Sequence, residues 1–394
     1  MSEKLPLKIA VVAGEESGDL LGADLVDALR TKTDRLVSLV GVGGTHLQQR
    51  GLQTLFDPDE IALMGIGAVL ARLPKLIMRI RQTAKAIVAA KPDCLLIIDS
   101  PDFTHRVAKK VRQTDPSIPI IKYIAPTVWA WRPQRAKEMR KYVDHVLTVL
   151  PFEVEVMQRL SGPKSTYVGH RLTSYPPLLD VAKARKKRKA PVEDADKTIL
   201  LLPGSRRFEI QGLLKEFGTT LQMLNERNGT VQAILPTPER HEAYVQQLTK
   251  DWPVKPVIVT GEAAKWEAFA KADAALAASG TVSLELALSK IPTVVTYKAD
   301  LFSRLFITRL ITIWSASLPN IIDDTPVIPE FFNDFVRAGM LCRQIESLLE
   351  DGPVRQAQMQ GFERITEKMR TDKPAGEMGA DVLLELLANG KSNG

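Results

Sequence analysis

At 394 residues and 45% hydrophobic, the chain is too long for one ordinary domain and has enough apolar residues for two cores. Its formal charge of +7 favours anionic partners, and two widely separated cysteines, Cys94 and Cys342, point to buried thiols in a reducing compartment rather than a disulfide framework. The start, Met1-Ser2-Glu3-Lys4-Leu5-Pro6, lacks a signal-peptide apolar region, and no apolar run reaches bilayer length, so a cytosolic protein is expected.

Short β-branched runs alternate with longer helical stretches, the pattern of parallel sheets covered by helices on both faces. In the first half the expected strands are Lys8–Ala13, Leu36–Val42, Cys94–Asp99, Pro119–Ile124 and His145–Val149, with Tyr167-Val168 as a sixth. The pattern restarts with Thr198–Leu202, Val231–Leu235, Val257–Thr260, Ala274–Ala278 and Thr293–Thr296. The expected fold is α/β: two doubly wound Rossmann-like domains facing a cleft, with ligands at the strand ends. Residues 1–175 form the first domain, 176–196 a linker, 197–372 the second domain and 373–394 a tail. The terminal helices, Val354–Arg370 and Ala375–Leu387, either pack on the second domain or cross back to the first.

The first strand runs into Gly14-Glu15-Glu16-Ser17-Gly18-Asp19. Gly14 and Gly18 allow a tight strand-to-helix turn, with Ser17 or Asp19 as its cap. No Gly-Lys-Ser/Thr ending follows, so this is not a P-loop, and the acidic side chains suit a hydroxylated substrate better than a pyrophosphate. Next, Met64–Leu70 leads into Arg72, Lys75, Arg79 and Arg81, interleaved with Leu73, Leu76, Ile77, Met78 and Ile80. Such a stretch is either an ordinary amphipathic helix on a core or, in a protein acting on lipid, a membrane-interface element. The same two readings apply to Leu301–Trp314, where Phe302, Leu305, Phe306, Leu310 and Trp314 accompany Arg304 and Arg309.

Ile98-Asp99-Ser100-Pro101-Asp102-Phe103 ends a very apolar strand with two carboxylates. A carboxylate there is paired, solvated or raised in pKa, and a raised pKa suits a general base. Either aspartate also serves as a helix cap, and the spacing does not choose between them. After the next strand, Trp129 and Trp131 either wall a ligand site or cover a core edge, while Arg132 and Arg135 match phosphate geometry. The run Lys183–Lys189, followed by Glu193-Asp194-Ala195-Asp196, has the charge blocks of an exposed linker or of a contact with anionic lipid headgroups.

Two turns in the second half are suited to anions. Gly204 and Ser205 permit close backbone approach after a strand, and Arg206 supplies charge for a diphosphate. Ser279-Gly280-Thr281 ends a second apolar strand and opens a helix, exposing backbone N–H groups, with Glu285 one turn further on to accept from sugar hydroxyls. Two such turns in one domain indicate a nucleotide-diphosphate site. The five histidines show no ligand spacing, so neither metal nor other cofactor is expected. No nucleic-acid module is present, and no residue pattern sets an oligomeric state.

These motifs, in this order, resemble the lipid-A-disaccharide synthase family, inverting glycosyltransferases of the two-domain GT-B type. The likeness also includes Val168-Gly169-His170 and Ser317-Leu318-Pro319-Asn320 and runs almost end to end. It implies transfer from UDP-2,3-diacylglucosamine to 2,3-diacylglucosamine 1-phosphate, releasing UDP and a β-1,6-linked disaccharide 1-phosphate at the inner-membrane surface. It further implies that Ser279 to Thr281 and Arg206 hold the diphosphate and Glu285 the ribose, with Asn320 nearby. Glu15, Ser17, Asp19, Trp129, Trp131, Arg132 and His170 would belong to the acceptor side, and Asp99 or Asp102 would take the acceptor's proton. Leu76, Ile77, Arg79, Phe302, Phe306 and Arg309 are the membrane candidates. Three positions depart from the family pattern: Thr104 in place of the usual Asn, Arg171 in place of Pro, and Phe208 in place of a small or polar residue.

Overall fold

A computed structural model describes residues 5–60, 66–186, 190, 196–299 and 313–391. The chain divides into two compact units, residues 1–171 with 371–394 and residues 172–370. The first unit contains strands β1 (Leu7–Ala13), β2 (Val37–Val42), β3 (Cys94–Ile98), β4 (Ile120–Tyr123), β5 (His145–Thr148) and β6 (Lys164–Tyr167). All pair in parallel in the order β2-β1-β3-β4-β5-β6. β3 is buried at every residue, as expected of a strand with helices on both faces.

The second unit contains β7 (Lys197–Leu202), β8 (Val231–Pro236), β9 (Val257–Val259), β10 (Ala274–Ala278), β11 (Thr293–Tyr297) and β12 (Glu330–Phe332). Its parallel order is β12-β11-β10-β7-β8-β9, the doubly wound arrangement with its switch between β7 and β10. In the first unit the corresponding switch lies between β1 and β3. The carboxyl ends of these four strands carry the Gly14, Asp99, Gly204 and Ser279 turns.

The domain boundaries differ from the expected ones. The first unit ends at Arg171, and the expected tail belongs to it: helix Ala375–Lys391 packs on helix Glu16–Lys32, with Lys32 Nζ 2.7 Å from Asp381. The expected linker begins as a helix, Pro176–Arg185, packed on helix Glu262–Lys271. Arg185, read as part of an exposed basic run, is buried and donates to the carbonyls of Phe269, Ala272 and Lys290. A guanidinium there satisfies the unpaired carbonyls at a helix C-terminus, a use that charge patterning along the sequence does not show. Lys187–Lys189 and Glu193–Ala195 lie outside the described residues. Strand β12 was not expected: three half-buried residues carry too little periodicity to be read. Cys94 and Cys342 are free and buried, in keeping with their reading as thiols.

Candidate functional site

In the first unit, Asp99 and Ser100 leave β3 in the left-handed region, at φ 51° and 35°. Each such residue costs about 1–3 kcal/mol unless its surroundings hold it. Two donors do so: Lys122 Nζ on β4 reaches the Asp99 carbonyl at 2.9 Å, and Thr104 Oγ1 reaches the same oxygen at 2.8 Å and that of Ser100 at 3.1 Å. Thr104, the departure from the family pattern, thus serves as a buried clamp on the turn. The Asp99 carboxylate accepts from Ser17 Oγ at 3.1 Å, and Ser100 Oγ lies 3.4 Å from Glu15 Oε1. Gly18 packs closely here: a Cβ would stand 3.1 Å from that of Asp99, so a larger residue would push on that side chain.

Asp99, Pro101, Lys122, Thr127, Trp131 and Arg135 help line a pocket of about 210 Å³ at this end of the sheet. Asp102 is different: its side chain is 87% exposed, and its ion pair with Arg135 is long at 3.9 Å. The two tryptophans also separate. Trp131 lines the pocket, with the guanidinium groups of Arg132 and Arg135 4.5 and 5.2 Å from its ring centre. Trp129 covers the core edge, packed edge-on against Phe152 and donating to Glu153 at 3.2 Å. Burial raises the Glu153 carboxyl to about 7, against the hydrogen bonds from Leu150, Trp129 and Val149.

Asp19 is not available to a substrate. It is buried, and its carboxylate accepts from the backbone of Gly44, His46 and Leu47 at 2.6, 2.7 and 3.3 Å, capping the turn after β2. That partner lies 25 residues away, so a local reading of the β1 turn does not find it. His170 follows Gly169, which has φ +88°, and burial together with Arg171 lowers its imidazole to about 4, so it is neutral near pH 7. Arg171, the second departure, bonds Asp24 at 3.0 Å.

In the second unit, the backbone amides of Ser205 and Arg206 donate to Glu209 at 3.0 and 3.2 Å. A Cβ on Gly204 would stand 2.3 Å from the same carboxylate. Glu209 therefore fills the backbone nest that the sequence offered to a phosphate, and the Arg206 side chain, 63% exposed, is what this turn presents outward. Across the switch point the second turn is open. Gly280 takes φ 153° with ψ −166°, a conformation nearly restricted to glycine, and a Cβ there would meet nothing within 4 Å. At the start of helix Thr281–Leu288 the Ser283 amide donates to the Gly280 carbonyl at 3.1 Å, while the amides of Thr281 and Val282 precede any intrahelical acceptor. Ser279 Oγ donates to the Ala316 carbonyl at 2.8 Å, and Glu285 is paired with Lys265 at 2.7 Å.

Asn320, expected near the nucleotide, is 1% exposed. Its amide donates to Ile328 O and Glu330 at 2.9 and 3.1 Å, and its oxygen accepts from Ile328 N at 2.7 Å. Glu330 also accepts from Ser315 and the Ala316 amide. Asn320 thus braces the loop beside Ser279 instead of facing a ligand.

Lys122, Glu209, Lys265 and Glu330 are the site residues that sequence reasoning missed. Lys122 had a signal, a lone charge inside the apolar run Ile120-Ile121-Lys122-Tyr123, and Glu209 had one at the third position of its helix. Lys265 and Glu330 had none. Among the membrane candidates, Leu76 is a core residue and Arg79 is tied to Glu60 at 2.8 Å, which leaves Ile77 exposed. Phe302, Phe306 and Arg309 lie outside the described residues, as does Met64-Gly65. No helix among the described residues is long and apolar enough to cross a membrane, and no group of three or more His, Cys, Asp or Glu among them is placed to hold a metal ion.

A family model described as lipid-A-disaccharide synthetase matches residues 9–378. The chain is 47% identical over 383 residues to a lipid-A-disaccharide synthase of Rhodopseudomonas palustris, covering 96% of each chain. It is 43% identical over 386 residues to the enzyme of that name from Bradyrhizobium diazoefficiens, covering 98% of this chain and 97% of the other. Among solved structures it resembles UDP-GlcNAc 2-epimerase from Neisseria meningitidis bound to UDP-GlcNAc, with TM-score 0.59, 12% identity and coverage of 98% and 100%. It also resembles MurG from Acinetobacter baumannii, with TM-score 0.58, 13% identity and coverage of 96% and 99%. At those identities the likeness is one of fold.

Proposed function

Since this chain belongs to the lipid-A-disaccharide synthetase family, we propose that it joins UDP-2,3-diacylglucosamine to 2,3-diacylglucosamine 1-phosphate with inversion at the anomeric carbon. The observation that carries the mechanism is Asp99: a carboxylate at the β1/β3 switch point, held by Lys122 and Thr104 through its own carbonyl and lining the pocket. Asp99 accepts the proton of the acceptor's 6-hydroxyl as that oxygen attacks the anomeric carbon and the bond to UDP breaks. Attack opposite the leaving group turns an α-linked donor into a β-linked product. Asp102 is left out of this role because its side chain is open to solvent and turned to Arg135. Glu15 and Ser17 bind acceptor hydroxyls beside Asp99.

UDP is assigned to the β7/β10 switch point. The free amides after Gly280, with the Arg206 guanidinium, offset the charge on the departing diphosphate, and Glu285 takes the ribose hydroxyls. Fixed dipoles and one guanidinium suffice for this assignment, which includes no metal. The acyl chains of both substrates place the reaction at a membrane surface, the cytoplasmic face of the inner membrane, with Ile77 and its exposed neighbour Met78 as contacts.

The test is UDP release from the acyl-sugar nucleotide with and without the lipid monosaccharide acceptor, with product analysis. Acceptor-dependent release together with a disaccharide supports transfer. A UDP-sugar isomer formed without acceptor would instead mark an epimerase, the rival that the fold alone permits.

A further inference from the structure

Carboxylates and hydroxyls at the ends of β1 and β3 account for binding and deprotonating a sugar hydroxyl, but the same pocket also holds two cations: Lys122, which braces the Asp99 turn with one N–H, and Arg135, which has no part in that step. Lys122 is 2% exposed in the middle of β4 and lines the pocket. An ammonium has three N–H donors, and the one bond described for this one goes to the Asp99 carbonyl. Burial lowers it to about 8, while the charges of Asp99 and Glu15 act in the opposite direction. Arg135 lines the same pocket. Its guanidinium lies 5.2 Å from the Trp131 ring centre, and its ion pair with exposed Asp102 is 3.9 Å long. Most of its fork of donors is therefore unspent.

A third residue registers the field of these cations. His105, on the helix that follows Asp99, bonds the Tyr142 hydroxyl through Nδ1 at 2.8 Å, and its buried Nε2 has no partner among the described residues. Burial first, then Lys122, Arg135 and Lys109, hold this imidazole far below its ordinary range. The pocket's volume of about 210 Å³ equals that of roughly seven waters, room for a phosphate and part of a sugar.

We propose that Lys122 and Arg135 seat a phosphate monoester carried by the acceptor sugar, at the other end of that sugar from the hydroxyl facing Asp99; this rests on the transferase reading above. Arginine matches two phosphate oxygens with parallel N–H groups, and the Trp131 ring 5.2 Å away gives its guanidinium an aromatic neighbour. Lysine adds a point charge from the floor of the pocket. A sugar lacking the phosphate leaves a buried ammonium without its counter-charge, so the pair selects phosphorylated over free acceptor.

The experiment measures kcat/KM for the acceptor with and without its phosphate, in wild type, Arg135→Gln and Lys122→Gln. The expected result is a wild-type preference for the phosphorylated acceptor that shrinks by roughly tenfold or more in each variant. This ratio is insensitive to a general loss of activity or positioning. Arg135 is half-exposed, so its variant decides the matter if Lys122→Gln fails to fold. An unchanged ratio in folded Arg135→Gln overturns the proposal. A second arm needs no turnover: calorimetric titration of wild type and Arg135→Gln with glucosamine 1-phosphate, glucosamine and inorganic phosphate. Binding of the sugar phosphate that exceeds both others and weakens in the variant supports the assignment. Equal binding of inorganic phosphate, or no binding of the sugar phosphate, overturns it. If wild type turns over neither acceptor, the transferase reading fails while the titration still decides the pocket.

Discussion

The hydroxyl of Ser17 donates to the carboxylate of Asp99 at 3.1 Å, linking the turns at the ends of β1 and β3. In a doubly wound sheet these two strands part company there, one connection leaving for each face, so their ends form a natural crevice. The bond orients a carboxylate whose backbone is already fixed by Lys122 and Thr104.

Replacing that carboxylate separates it from its neighbour in sequence. Asp99→Asn is expected to lower acceptor-dependent UDP release by about 10²- to 10⁴-fold, the usual contribution of a general base, while UDP still binds. Asp102→Asn should stay within a few-fold of wild type, because the group is solvent-exposed and weakly paired. Steady-state assays on both variants decide, and the reverse ranking would transfer the role to Asp102.

Gly280 is needed for its conformation, since the space around it is free. Gly280→Ala is expected to destabilise the second unit by about 1–3 kcal/mol through strain and to weaken UDP binding. Thermal unfolding with and without UDP measures both. A variant as stable as wild type would show that the turn adopts another backbone geometry.

Glu285 and Asn320 should fail in opposite ways. Glu285→Gln weakens a mostly buried ion pair with Lys265 but keeps an oxygen that can accept from it, so stability changes by about 1 kcal/mol while UDP affinity falls. Asn320→Ala leaves the Ile328 amide and carbonyl buried and unpaired, costing about 2–4 kcal/mol of stability. Denaturant midpoints and nucleotide titrations on the pair would expose a reversed assignment.

Glu153 gives the protein a pH signature. Its carboxyl is raised by burial from its ordinary 4.5 to about 7, so between those values the folded protein holds a proton that the unfolded chain releases. Stability owed to this group is present at low pH and falls as pH rises towards 7, by at most on the order of 1.4 kcal/mol per unit, and levels off above. Urea midpoints from pH 5 to 8 should show wild type losing ground to Glu153→Gln across that window. Parallel curves for the two would remove the buried acid as the cause.

Much of this architecture was legible because parallel strands covered on both faces must be apolar throughout. Runs such as Cys94–Ile98 and Ala274–Ala278 stand out for that reason, and the turns after them carry the polar residues. What stayed illegible was pairing at a distance. Nothing around Asp19 announces that its carboxylate caps a turn 25 residues on, and nothing around Asn320 shows that Ile328 and Glu330 consume all its polar atoms. The same holds for Glu209 filling the Gly204 turn: the sequence displayed both the nest and the acid, but not that one occupies the other. Arg185 reads as solvated charge within a basic run, yet buried carbonyls hold it.

The return of the chain at Thr371 also fixes an order of events during synthesis. Helix Ala375–Lys391 covers helix Glu16–Lys32, with Gly376 so close that a Cβ would stand 2.9 Å from the Asp24 carbonyl. The second unit is therefore an insertion within the first, and its residues leave the ribosome before the first unit has received its last helix. Until then the apolar surface of Glu16–Lys32, including Leu25 opposite Gly379, waits uncovered. A nascent chain stalled in the second unit would display that surface to the chaperones and proteases that recognise exposed apolar patches.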